Sequence, residues 1–123
     1  MHWLRTQVER LHGLAKERRP FLTAAAELTA ATVRHEGVTA CFVCHDGLLV
    51  ETAGRAVDFE ALSALTQQWL VAGKEAAATL ALGRVQQMVI VGDEHKLALF
   101  VIGPLAVGIL SPSEVVLSRV LAS

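Results

Sequence analysis

The fold class follows from residues 37–51, which read GVTACFVCHDGLLVE. The segment from Val38 to Cys44 is apolar and rich in β-branched residues on both sides, which predicts a buried central strand. His45-Asp46-Gly47 is a turn signal, and residues 48–53 return as the antiparallel partner strand. This stretch therefore predicts a β-hairpin, and the other elements are assigned outward from it.

Two amphipathic helices are predicted before the hairpin. The segment from Leu4 to Arg18 carries apolar residues at helical spacing, although Gly13 weakens it. Pro20 suits the first turn of a second helix, which runs to His35 and has Gly37 at its C-cap. The apolar side of this second helix is formed by Phe21, Ala24, Ala25, Leu28 and Ala31, with Thr32 at its edge.

A long helix is predicted after the hairpin, from Phe59 to about Leu82, with Asp58 as N-cap and Gly83 as its stop. It has a wide apolar stripe that suits packing on a sheet. The members of that stripe are Phe59, Leu62, Leu65, Thr66, Trp69, Leu70, Gly73, Ala76, Ala77 and Leu80. A narrower stripe, Ala64, Val71 and Ala78, has a seven-residue spacing. A helix with water on one side does not need this second stripe, so it predicts a symmetry mate beside the helix.

Three more strands and a short helix complete the chain. The strands are assigned to residues 84–91, 96–102 and 105–110. Ser111 to Glu114 resembles a capping box, which predicts a last helix to about Leu121. The order α-α-β-β-α-β-β-β-α predicts an α/β protein of the α+β type. Its single five-stranded, mostly antiparallel sheet has the long helix on one face and the terminal helices on the other.

The composition indicates an oligomer rather than a membrane protein. Hydrophobic residues make up 53% of the 123 residues, and the mean hydropathy is +0.46. A domain of this size cannot hide that much apolar surface within itself, so a partner subunit is expected to cover some of it. The most apolar run, Leu97 to Leu110, is interrupted by Gly103-Pro104 and is shorter than the roughly 20 residues of a membrane-spanning helix.

The charge and the cysteine content limit the class of partner and the compartment. A net charge of −1 gives no long-range field for nucleic acid. The basic residues near the N-terminus alternate with acidic ones, which is typical of a solvated helix face rather than a patch for an anionic partner. Two cysteines and a start without an apolar leader segment predict a reducing cytoplasm.

Several motifs could carry chemistry, but each has a structural explanation. Cys41 and Cys44 have the spacing of redox and zinc sites, yet residues three apart on a strand point to opposite faces. His45-Asp46-Gly47 is an ordinary hairpin turn, without a nucleophile placed beside it. Gly73-Lys74 resembles the end of a phosphate loop but lies within the predicted helix. Trp69 is interpreted as core or, alternatively, as an interface anchor.

The hairpin of residues 37–51 resembles the first hairpin of the roadblock/dynein-light-chain family, in which a short apolar strand runs into Asp-Gly-Leu and a second strand. The Ala-rich helix ending at Leu82-Gly83 and the strands after it keep the family's order. The likeness covers about Thr23 to Ser123. Residues 1–19 are therefore interpreted as an extra N-terminal helix and residues 20–123 as a roadblock-like domain.

The resemblance implies a homodimer, or a heterodimer with a paralogue, in which the long helices lie side by side and the third strands pair. The residues expected at this interface are Ala64, Gln67, Gln68, Val71, Lys74, Glu75, Ala78, Val85, Gln87 and Val89.

The resemblance also implies a function. Family members scaffold cargo or bind Ras-like GTPases, and some bacterial members activate GTP hydrolysis by repositioning the partner's own residues. We therefore expect a non-catalytic module, without cofactor or metal, that binds and regulates a small Ras-like GTPase as an activating protein or scaffold. A structural adaptor without a nucleotide-dependent partner is the alternative. A third hypothesis is a redox or metal-binding protein that uses Cys41 and Cys44.

Overall fold

The computed structural model describes residues 2–55 and 58–121, and predictions for residues 1, 56, 57, 122 and 123 lie outside this part. The order of elements agrees with the prediction. They are α1 (His2–Gly13), α2 (Arg18–Val33), β1 (Ala40–His45), β2 (Leu48–Gly54), α3 (Phe59–Thr79), β3 (Gln87–Val91), β4 (His95–Ile102), β5 (Leu105–Pro112) and α4 (Leu117–Val120).

The strands form a five-stranded sheet in the order β2-β1-β5-β4-β3. Every neighbouring pair is antiparallel, which confirms the predicted sheet. The crossover through α3 carries the chain from one edge strand, β2, to the other, β3. The central strands β1 and β5 are apolar on both sides because both faces of the sheet are covered.

The helices cover the sheet as predicted, with α3 on one face and α1, α2 and α4 on the other. On the α3 face, Phe42, Leu97 and Leu99 pack with Leu70. On the opposite face, Leu4, Val8 and Leu11 of α1 join a larger cluster with Phe21 of α2 and Leu117 of α4. α1 is therefore an integral part of this face of the core.

The first two helices are shorter or displaced compared with the prediction. α1 ends at Gly13 rather than Arg18, and the main-chain N–H groups of Leu14 and Ala15 bond to the carbonyl oxygens three residues earlier. This tight turn follows from the low helix propensity of glycine. α2 then begins at Arg18, with Pro20 in its first turn, and Gly37 lies in the following loop at φ +96° rather than at the C-cap. The division of the chain at residue 19 stays a prediction.

The end of α3 is set by an alanine rather than by Gly83. Asp58 is the N-cap as predicted, because its side chain accepts a hydrogen bond from the Ala61 N–H at 3.1 Å. The helix ends at Thr79, and Ala81 adopts a left-handed conformation with φ 55°. The N–H of Leu82 donates to the Ala77 oxygen, which makes a Schellman motif with alanine in the position that glycine usually occupies.

The capping box predicted at Ser111 to Glu114 is wrong. Ser111 and Pro112 are the last residues of β5, opposite Lys96 and His95 of β4, and the Ser111 side chain is buried. Pairing with β4 keeps this backbone extended, so no helix begins at Pro112 for the Ser111 hydroxyl to cap. α4 starts later, at Leu117. Within the described residues, no helix has the length and apolar character needed to cross a bilayer.

Candidate interaction surface

The outer edge of β3 offers main-chain groups for pairing. Its ladder with β4 includes hydrogen bonds from the Val101 N–H to the Gln86 oxygen and from the Gly92 N–H to the His95 oxygen. Hydrogen-bonded and non-bonded residues alternate along an antiparallel strand. The N–H and C=O groups of Gln87, Val89 and Val91 therefore point away from β4. In the described part of the chain, no strand pairs with this edge.

Large apolar side chains are exposed near the same edge. On β3 these are Val89, Ile90 and Val91, of which Val91 is 65% exposed. An exposed apolar edge strand is an aggregation risk unless something covers it. Leu65 of α3 and, at its end, Leu80 and Leu82 are also exposed. Val71 is exposed too, but it lies beside the Asp46-Gly47 turn.

The total surface is also large for the mass of the chain. The accessible area is 7275 Å², whereas a compact monomer of this mass is expected to expose about 6,400 Å². The excess of roughly 900 Å² is close to one partner's share of a standard protein interface. This area is consistent with a chain that is completed by a partner.

The residues predicted for the dimer interface all lie at the surface. Gln67 and Val85 are half-buried, and the others are exposed, namely Ala64, Gln68, Val71, Lys74, Glu75, Ala78, Gln87 and Val89. The β3 members lie on the open edge. Of those on α3, Gln67 faces the turn between β1 and β2, because its side chain lies 3.8 Å from a Cβ built on Gly47. Their contact with a partner stays a prediction.

A second side of α3 is exposed and apolar, which corrects the wide sheet-facing stripe of the sequence analysis. Thr66, Leu70 and Ala77 are buried, but Leu65 is 42% exposed and Ala76 is exposed. The helical spacing of the sequence overstated the width of this stripe, because a sheet contacts only a narrow arc of a helix. Leu80 is the C-cap, beyond the packed turns, and is also exposed.

This exposed side of α3 lies toward β3. A Cβ built on Gly73 would lie 2.7 Å from the Sδ of Met88, so Gly73 allows α3 to pack closely on that strand. At 100° per residue, Leu65, Ala72 and Ala76 continue round the helix from Gly73 and away from the sheet. The helical pattern of these apolar residues was visible in the sequence. Their exposure was not, because it depends on how far the sheet extends beneath them.

Trp69 has features of both proposed roles. It is half-buried and packs against the cluster on the α3 face of the sheet, which fits its interpretation as core. It also borders the exposed side formed by Leu65 and Ala76. Trp3 is half-buried between α1 and α2, with its ring centroid 5.2 Å from that of His35.

The two cysteines lie on opposite faces of the sheet, as the strand geometry predicted. Cys41 packs against the α2 face, and burial raises the pKa of its thiol to about 12. Cys44 packs against the α3 face with its Sγ 3.2 Å from Ser63 Oγ, and burial raises its pKa as well. High pKa values keep both thiols protonated and unreactive. Across residues 2–55 and 58–121, no three metal-ligating side chains are grouped.

The other motifs have structural roles in the described chain. Asp46 and Gly47 have φ values of 52° and 79°, which are typical of the type I′ turn of a tight hairpin. The Nδ1 of His45 lies 3.4 Å from Asp46 Oδ2, and its ring also packs against Phe21. Gly73 and Lys74 lie in the middle of α3, where a phosphate loop cannot form.

Several solved structures share this fold. The Roadblock/LC7 domain from Streptomyces avermitilis is 19% identical with a TM-score of 0.68, and the match covers 76% of this chain and 82% of that one. The gliding protein MglB from Thermus thermophilus is 19% identical with a TM-score of 0.66, covering 76% and 75%. An MglB with a tetrameric arrangement is 16% identical with a TM-score of 0.68, covering 93% and 79%.

At these identities the structural likeness establishes the fold. A search of curated protein sequences found no match for this chain. A family model for the Roadblock/LC7 domain matches residues 24–110, which begin within α2 and end within β5. Because this match spans more than half of the sequence, the chain belongs to the Roadblock/LC7 domain family.

Proposed function

We propose that this chain forms a homodimer, or a heterodimer with a paralogue, that binds and regulates a small Ras-like GTPase. The observation that carries the proposal is the open edge of β3 beside the exposed apolar residues of α3. A second copy of the chain would pair with the edge and cover Val89 and Val91. Both α3 helices would then lie together on the same face of a continuous sheet.

The GTPase is proposed from the family. The resemblance noted in the sequence implies a Ras-like partner, and the chain's membership in the Roadblock/LC7 family supports it. The chain would act by holding its partner in a given conformation, without catalytic residues, metal or cofactor of its own. We place this activity in the cytoplasm, where the two free, buried cysteines would stay reduced.

The first test combines light scattering with a binding assay. The purified chain is measured with and without the candidate GTPase from the same genome, loaded with GDP or with a non-hydrolysable GTP analogue. A dimer that binds one nucleotide form more tightly supports the proposal. Hydrolysis rates measured with and without the chain then distinguish an activating protein from a scaffold.

The same experiment tests the adaptor alternative. A dimer that ignores both nucleotide forms would favour a structural adaptor. A monomer at micromolar concentration would contradict the dimer and leave the β3 edge without its proposed occupant. The redox and metal hypothesis is tested separately by metal analysis and thiol titration of the native chain. Rapid reaction of both thiols, or zinc bound to the native chain, would support the redox and metal hypothesis.

A further inference from the structure

We infer that two copies of this chain pair through β3 in one register, with Val89 opposite its own copy, and that Arg84 of each copy then lies beside the Asp93-Glu94 turn of the other. The inference rests on the proposed dimer and adds what selects its geometry. It follows from three properties of the edge, namely the side-chain faces, the open main-chain groups and the charges beyond the strand ends.

The side-chain faces limit the possible registers. Met88 packs under Gly73 of α3, so Met88 and Ile90 point to the α3 face and Val89 points to the α1 face. If both α3 helices are to lie on the same face, the twofold axis must be perpendicular to the sheet. Residues opposite each other in an antiparallel pair point to the same face. A residue must therefore lie opposite its own copy, and the three registers that keep most of β3 paired place Met88, Val89 or Ile90 on the axis.

The open main-chain groups choose among these three registers. Gln87, Val89 and Val91 have outward N–H and C=O groups, as derived above from the ladder with β4. With Val89 on the axis, Gln87 lies opposite Val91 of the other copy, and all three outward residues form hydrogen-bonded pairs. With Met88 or Ile90 on the axis, an outward residue extends past the end of the partner strand. The Val89 register therefore satisfies the most donors and acceptors.

The charges beyond the strand agree with this register and favour antiparallel pairing. Arg84 precedes β3, and Asp93 and Glu94 form the tip of the turn that follows it, all three being exposed. With Val89 on the axis, the segment before β3 of one copy runs toward the turn after β3 of the other, which places Arg84 near Asp93 and Glu94. The twofold axis repeats this pair on the other side. Like charges would meet if two chains aligned their β3 strands in parallel, so the pair also selects orientation.

Disulfide formation tests the register. An antiparallel pair brings directly opposite Cα atoms within about 5.5 Å, which a disulfide can span. We expect Val89→Cys to form a covalent dimer under mild oxidation. Met88→Cys and Ile90→Cys each stay uncrosslinked but crosslink when mixed, since they lie opposite each other. The native Cys41 and Cys44 are buried and supply the unmodified control.

Each outcome of the disulfide experiment is informative. Self-crosslinking of Met88→Cys or Ile90→Cys, without that of Val89→Cys, would overturn the inferred register. If light scattering shows a dimer and none of the three variants crosslinks, β3 pairing itself is wrong. If the chain is a monomer, the proposed function fails as well. The crosslinking pattern thus tests the register, and light scattering separately tests the dimer.

Charge exchange tests the ion pair. Arg84→Glu and Glu94→Arg each place like charges together twice in a homodimer, and we expect the dissociation constant to rise about tenfold in each. Mixing the two variants restores opposite charges at both sites, so heterodimers should dominate. Arg19→Glu makes the same charge change on α2, away from the edge, and should leave the dissociation constant unchanged. Random mixing of the two variants would contradict the pair.

Discussion

Gly108 of β5 lies directly opposite Phe42 of β1, and the Phe42 ring occupies the space that a side chain at position 108 would need. A Cβ built on Gly108 would lie 2.2 Å from the Phe42 Cζ, and Phe42 is fully buried. Gly108 therefore leaves room for the largest fully buried side chain of the α3-face core. The Phe42 ring in turn packs in the cluster that includes Leu70 of α3.

Gly108→Ala is expected to lower the free energy of unfolding by about 1–3 kcal/mol, because the methyl group forces the buried ring out of its position. Chemical denaturation measures this change. Gly13→Ala is the matched control, since a Cβ there meets nothing within 4 Å, and its stability should be unchanged or slightly higher. Phe42→Leu should cost less in the Gly108→Ala background than in the native chain. Additive effects would contradict the steric explanation.

Ala81→Gly is expected to stabilise the chain by up to about 1 kcal/mol, because Ala81 is left-handed and glycine adopts that conformation without the Cβ penalty. The midpoint of thermal unfolding should rise accordingly. Ala78→Gly is the control, since Ala78 lies within the last turn of α3 and glycine there should lower stability by about 1 kcal/mol. A loss of stability in both variants would show that the Schellman ending is not the native one.

The sequence predicted the sheet better than the ends of the helices. The hairpin of residues 37–51 could be placed because Asp46-Gly47 demands a tight turn and the flanking residues are apolar on both sides. The end of α3 could not be placed, because nothing in the local sequence distinguishes Ala81 from the alanines before it. Ser111 to Glu114 matched a helix start, yet pairing with β4 outweighed the local signal.

The interaction surface was predictable in part. The resemblance implied the open edge of β3, and the contact of Gln87 and Val89 with a partner stays a prediction. The exposed side of α3 with Leu65 and Ala76 could not be predicted, because the sequence shows which residues share a side of a helix but not which side the sheet covers. That depends on the crossing of α3 over β3, where Gly73 meets Met88. It is a tertiary contact between residues distant in sequence.

Stability should fall at alkaline pH because of Cys41. Burial raises the pKa of its thiol from 9.0 to about 12. The unfolded chain loses this proton above pH 9 while the folded chain keeps it. The stabilisation is therefore complete below pH 9 and is lost as the pH rises toward 12, by about 1.4 kcal/mol per pH unit.

Urea denaturation of the native chain and of Cys41→Ala between pH 8 and 11 measures this effect. Cys41→Ala loses the same amount of stability at every pH because it leaves a cavity. Its free energy of unfolding should, however, fall less steeply than that of the native chain as the pH rises. Val43→Ala, on the same strand and face, makes a cavity without removing a titratable group and should decline like the native chain. Parallel curves for the native chain and Cys41→Ala would contradict the raised pKa.

The side of α3 that meets the second copy can be decided with two alanines of the same turn. Ala76 lies on the side toward β3, with Leu65, whereas Ala78 belongs to the predicted stripe with Val71. Both alanines are exposed, so glutamate at either position should leave the isolated fold nearly intact. At a twofold interface, however, it would bury a charge beside its own copy and weaken the dimer strongly.

We expect Ala76→Glu to shift the light-scattering mass toward the monomer and Ala78→Glu to leave a dimer, because Gly73 turns the Leu65 side toward the edge at which the copies pair. Val71→Glu should then follow Ala78→Glu. Circular dichroism confirms that each variant is folded. If Ala78→Glu and Val71→Glu dissociate the dimer while Ala76→Glu does not, the stripe predicted from the sequence is the contact, and the Leu65 side would be left uncovered for another partner.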